Sequence, residues 1–139
     1  MNMLYAVIDT NVFVAALLSR HPDSATVQVV DKVLRNVICP LFNSEIIAEY
    51  QEVLHRDKFH FPSESIDYII KSVEEMGISS ERIPSLEAFV DSKDIVFYEV
   101  ALSKKDAYLV TGNIKHFPNT PIVVTPAEMV EILQREGVL

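Results

Sequence analysis

Apolar positions along the chain fall into two alternating periods. Leu4-Tyr5-Ala6-Val7-Ile8 is a continuous apolar run that stops at Asp9-Thr10-Asn11, the pattern of a short buried strand. Asn11–Ser19 reads as helical. After the break at His21-Pro22, the spacing of Val27, Val30, Val33 and Leu34 predicts a helix over Ala25–Arg35. Asn36–Pro40 reads as a second short strand, closed by its proline. Asn43 or Ser44 offers an oxygen to the free N–H groups of a helix running to about His55. Ser63 or Ser65 opens another, with Ile66, Ile69, Ile70, Val73 and Met76 on one face and Gly77 at its end. Glu81–Ile83 reads as a weak edge strand.

Asp94–Leu102 has helical length but is apolar almost all round, the signature of a buried helix. Ala107–Thr111 reads as a strand ended by Gly112-Asn113, and Ile122–Val124 as the last strand. Thr125-Pro126-Ala127-Glu128 combines a capping box with proline at the first helical position. Strands alternating with helices predict an α/β fold: a parallel sheet covered on both faces and joined by right-handed crossovers. There is no internal repeat or low-complexity tract, and residues 1–139 read as one domain.

Composition narrows the function classes. The chain is 49% hydrophobic with only 3 glycines, which excludes a disordered segment, and one cysteine excludes a disulfide scaffold. Cys39 sits in Val37-Ile38-Cys39 and reads as a small buried hydrophobe. No stretch reaches the ~18–20 apolar residues of a membrane span. The N-terminal residues lack the basic flank of a signal peptide, so a soluble cytoplasmic protein is the default expectation. The formal net charge of −8 argues against loose, charge-driven nucleic-acid binding. It leaves open a nucleic-acid enzyme in which metal ions offset acidic groups where phosphate approaches.

Ligands of open α/β sheets bind beyond the carboxyl ends of the strands. Asp9-Thr10-Asn11 and Thr111-Gly112-Asn113 lie at that edge. Asp9 reads either as a helix cap or as a site acid, with Thr10 and Asn11 as turn residues or as hydrogen-bond donors to its carboxylate. Glu49 falls at the margin of the stripe Ile46, Ile47, Tyr50, Val53, Leu54, placed either to lie along the surface or to enter a cleft. In Asp91-Ser92-Lys93-Asp94 either aspartate suits the cap of the buried helix. A carboxylate in such surroundings is costly unless a cation compensates it. Asp106 reads as a turn residue. Asp9, Glu49, Asp94 and Asn113 together form an oxygen-only set, the donors that hard divalent cations such as Mg²⁺ or Mn²⁺ take. Without metal, the crowded acids repel and one should hold a raised pKa.

Ile8-Asp9-Thr10-Asn11-Val12, Ser44-Glu45-Ile46-Ile47-Ala48-Glu49, Asp91-Ser92-Lys93-Asp94 and Tyr108-Leu109-Val110-Thr111-Gly112-Asn113, in that order, resemble the PIN-domain nucleases. Within them the chain is most similar to the VapC-like toxins of toxin–antitoxin pairs. Lys115-His116-Phe117-Pro118 and Val123-Val124-Thr125-Pro126-Ala127-Glu128 resemble the ending of one branch of these toxins. The resemblance implies an α/β/α sandwich and a Mg²⁺- or Mn²⁺-dependent endoribonuclease whose metal-binding acids are Asp9, Glu49 and Asp94. It also implies self-association and a small antitoxin partner whose segment blocks the cleft. The family's fourth acid usually follows Thr-Gly. Here Asn113 stands there, so the site has one negative charge fewer, a single firmly held ion is expected, and Asp91 is a candidate for the missing charge.

Cations are sparse but grouped: His55-Arg56-Asp57-Lys58-Phe59-His60, Lys104-Lys105 and Lys115-His116. Lys115 reads as a phosphate contact or a solvated lysine, and His116 as a general acid or a surface histidine. The histidines show no zinc spacing. A phosphoacceptor domain fails because Ile8 precedes Asp9 and Val123-Val124-Thr125-Pro126 holds no lysine. An Asp-x-Asp phosphatase fails because Asn11 occupies the second position. The remaining rival is a PIN-like domain that binds RNA or protein but has lost cleavage through Asn113.

Overall fold

In the computed structural model, residues 3–87 and 92–139 are described. Their order is β1 (Leu4–Ile8), α1 (Thr10–Leu18), α2 (Ala25–Leu34), β2 (Ile38–Phe42), α3 (Ser44–Leu54), α4 (Ser63–Met76), β3 (Ile78–Ser79), α5 (Ser92–Ala101), β4 (Tyr108–Val110), β5 (Val123–Val124) and α6 (Pro126–Arg135). Short 3₁₀ turns at Asp57–Phe59 and Ile114–His116 complete the described elements. The strands form one sheet in the order β3-β2-β1-β4-β5, with every pairing parallel. This is the α/β architecture that the alternating periods predict.

The strand order reverses beside β1. The chain moves from β1 to β2 and β3 on one side, then returns to β4 and β5 on the other. Right-handed crossovers therefore put α5 on the face opposite α1 and α2, giving three layers. The helix α5 packs on β1, β4 and β2, while α6 comes back beside α2. The strands that meet at the reversal, β1 and β4, end at Asp9 and Thr111. A sheet of this kind opens its crevice at such a point.

Tyr50 fixes the helices above that crevice. Its ring lies edge-on to Phe13 of α1 at 5.1 Å and tilted against Phe97 of α5 at 6.3 Å. Its hydroxyl donates to the Ile8 carbonyl at the end of β1. Both partners of that bond are buried, so the phenol satisfies a backbone group that the ladder leaves over.

Several boundaries differ from expectation for identifiable reasons. The second strand runs Ile38–Phe42 rather than ending at Pro40. Pro40 pairs with Ala6, whereas β3 reaches only Leu41 and Phe42, so the missing N–H falls outside the two-sided stretch. The edge strand is Ile78–Ser79, not Glu81–Ile83. Gly77 ends α4 with φ −91°, not in the left-handed conformation expected of a glycine stop. Glycine is required there by close approach, because a Cβ would collide with the Pro40 and Val73 carbonyl oxygens. Helix α4 opens at Ser63 behind Pro62, with no side-chain cap. Asn43 caps α3 through the Ile46 N–H at 2.8 Å. The Thr125–Glu128 capping box is fully formed on α6. Asp106 is the turn residue expected, at φ +66°.

Candidate active site

Asp9 occupies the N-cap position of α1, yet its side chain makes no cap hydrogen bond. The carboxylate is turned instead toward the end of β4. Its Oδ2 accepts from the Thr111 hydroxyl at 2.8 Å and from the Asn11 amide at 3.2 Å. The capping reading of Asp9 is therefore replaced by a tertiary one. Asn11 braces both strand ends, because its Oδ1 accepts the Gly112 N–H at 3.0 Å. The Thr111 hydroxyl in turn accepts the Asn113 N–H at 3.0 Å. Backbone ladder bonds from Asp9 to Val110 and from Thr111 to Val124 hold this cluster to the sheet.

Asp9 is 8% exposed and Thr111 fully buried. Burial pushes the Asp9 carboxyl up from 3.8 to about 6, and the charges of Asp94 and Glu49 push in the same direction. The Thr111 hydroxyl and the Thr10 backbone pull it down without cancelling the rise. The raised acid expected of the cluster is thus Asp9. The Asp9 carboxylate, at the strand-order reversal, thus lies within the field of Asp94 on α5 and Glu49 on α3. Burial also raises the Tyr50 phenol, with the Asp9 charge second.

The other expected residues are arranged around this centre. Thr10 begins α1 and is buried, its hydroxyl without a hydrogen-bond partner among the described residues. Glu49 is half-buried and lines a hollow between α3 and α5. Asp94 sits in the first turn of α5 rather than at its cap. One Asp94 oxygen lies 3.4 Å from His116 Nδ1. Asn113 contacts the same ring, its amide nitrogen 3.0–3.2 Å from the two ring nitrogens. Lys115 is exposed beside them. Asp91 lies outside the described residues, so its candidacy for the missing charge stays with the sequence.

Two residues escaped the sequence reading, Glu99 and Arg82. His116, read as a general acid or a surface residue, connects Asp94 to Asn113. Glu99 of α5 is 7% exposed and accepts from Arg82 at 2.8 Å and from the Ser85 N–H at 2.6 Å. The signal for Glu99 was present, since a carboxylate inside the apolar run Ile95–Val100 needs a partner. Nothing local marks Arg82 as that partner.

The donor chemistry suits a hard divalent cation: carboxylate, amide and hydroxyl oxygens, with no sulfur. Among the described residues, no three His, Cys, Asp or Glu side chains are placed to hold an ion by themselves. No described helix is long and apolar enough to cross a membrane.

No curated protein and no solved structure matches the chain. A family model described as the PIN domain matches residues 5–115, a span that contains all four motifs. PIN domains are generally nucleases that typically use divalent metal ions. With the five-stranded parallel sheet and the acids at its point of reversal, that match shows that the chain belongs to the PIN-domain family.

Proposed function

We propose that the chain is a Mg²⁺- or Mn²⁺-dependent endoribonuclease and the toxin member of a toxin–antitoxin pair. The observation that carries the nuclease reading is the buried Asp9 carboxylate, fixed by Thr111 and Asn11 within the field of Asp94 and Glu49. A bound ion would neutralise phosphodiester charge and lower the pKa of an attacking water. Asp9, Asp94 and Glu49 would hold it. Thr111 and Asn11 orient Asp9 before any ligand arrives, which avoids reorganisation during the reaction. Asn113 brings a neutral amide oxygen where the family usually has an acid. The toxin role, the antitoxin partner and self-association rest on the order and identity of the four motifs. Co-purification with the product of a short neighbouring reading frame tests them, and a chain that forms no such complex is not a toxin of this type.

Cleavage of RNA in Mn²⁺ tests the nuclease reading. Asp9→Asn or Asp94→Asn should lose about 100-fold or more, equivalent to ~2.7 kcal/mol of barrier, while circular dichroism stays unchanged. Undiminished cleavage in either variant removes that residue from the mechanism. The neutral side chain of Asn113, where the family usually has an acid, favours a second reading, a PIN domain that binds RNA with little cleavage. Asn113→Asp separates the two, because restored charge should raise cleavage only where its absence is limiting.

A further inference from the structure

Building on the metal-site reading above, we infer that Arg82 is a positioning residue that sets the separation between Glu49 and Asp94. Its guanidinium bridges the two helices that carry them. Nη1 donates to both oxygens of Glu45 on α3 at 3.1 Å. Nε and Nη2 each lie 2.8 Å from Glu99 Oε1 on α5. Glu45 stands about one helical turn before Glu49, and Glu99 about 1.4 turns after Asp94, so each anchor shares a helix with one acid.

Two further observations make the bridge more than a surface ion pair. First, α3 and α5 leave a hollow of about 320 Å³ lined by Glu45, Ala48, Glu49, Lys93, Val96 and Phe97. Beyond the contact of Tyr50 with Phe97, side-chain packing leaves the helix spacing at this end underdetermined. Second, the α5 anchor is held from all sides. Glu99 Oε2 accepts the Ser85 N–H at 2.6 Å, and the Glu99 carbonyl accepts the Ile83 N–H at 3.0 Å. The chain just after Arg82 is thus pinned to α5 and the chain before it to β2, through the Ser80 N–H and the Phe42 carbonyl, while Nη1 reaches α3. A lysine presents one point charge and cannot serve both carboxylates in this fork geometry.

Arg82→Gln and Arg82→Lys test this through Mn²⁺ binding measured by titration calorimetry, at a temperature where circular dichroism shows each variant folded. Removal of a cation beside acids would tighten Mn²⁺ binding if Arg82 acted only through its charge. Loss of positioning weakens it instead, by the roughly 10–100-fold typical of residues that orient metal ligands. In a Glu49→Gln background the same Arg82 substitutions should change affinity less than about twofold, because the two effects are then not additive. Wild-type affinity in Arg82→Gln, tighter binding, or an equal loss in both backgrounds overturns the inference. Spin labels on Gln51 of α3 and Ser92 of α5, in a Cys39→Ala background, give a readout without metal: the distance distribution should broaden in Arg82→Gln. An unchanged distribution overturns the inference. A wild type that binds no Mn²⁺ while the distribution still broadens overturns the metal-site reading alone.

Discussion

At the scale of single residues, Asp9 carries the strongest physical consequence. Its carboxyl is raised from 3.8 to about 6, first by burial and then by neighbouring acids. The folded chain therefore holds this proton more tightly than the unfolded chain does. The stability gained from it is complete below about pH 4 and is lost as pH rises through 6. Asp9→Asn cannot ionise. Its stability relative to wild type should increase by up to about 3 kcal/mol between pH 4 and pH 7 in the absence of divalent ions. Urea unfolding at both pH values measures this, and a pH-independent difference would show that burial does not raise the Asp9 carboxyl above its unfolded value. Asp9 and Thr111 were legible in sequence because each directly follows an apolar strand, and Asn11 because it belongs to the same polar group as Asp9. The turning of Asp9 away from its cap was not. That choice depends on Thr111, which lies 102 residues away.

At the scale of elements, local periodicity and caps located the start of every described α-helix to within about two residues, as boundary uncertainty allows. They failed where a neighbour in space overrode the local rule. Pro40 did not end its strand, because the outer partner strand begins only beyond it. Gly77 serves as a spacer between α4 and β2 rather than as a turn. Gly77→Ala should consequently cost at least about 2 kcal/mol, as overpacking against fixed backbone does. A thermal melt checks this, and a loss below about 0.5 kcal/mol would mean that the α4–β2 junction yields. The segment 80–87 shows the same limit of pattern reading. It has no regular element, yet Arg82, Ile83 and Ser85 are tied to Glu99.

At the scale of the whole molecule, a formal charge of −8 and a site built of acids set the same condition for RNA to approach. The repulsion must be offset locally. Divalent metal should raise the melting temperature by several degrees once its concentration is well above the dissociation constant. Protons compete for Asp9 near pH 6, so the shift produced by millimolar Mn²⁺ should shrink between pH 7.5 and pH 5.5 and be much reduced in Asp9→Asn. Differential scanning fluorimetry reads all three conditions. A melting temperature indifferent to Mn²⁺ at pH 7.5 would show that the acids do not hold an ion.

The bond between Thr111 and Asp9 also has a meaning in time. A ribosome makes the aspartate 102 residues before the threonine. Until then the acid has no partner to aim it, and β4 has not emerged to stand beside β1. A polypeptide still short of Thr111 therefore carries Asp9 without the hydroxyl that orients it, and the cluster can assemble only after β4 has been made.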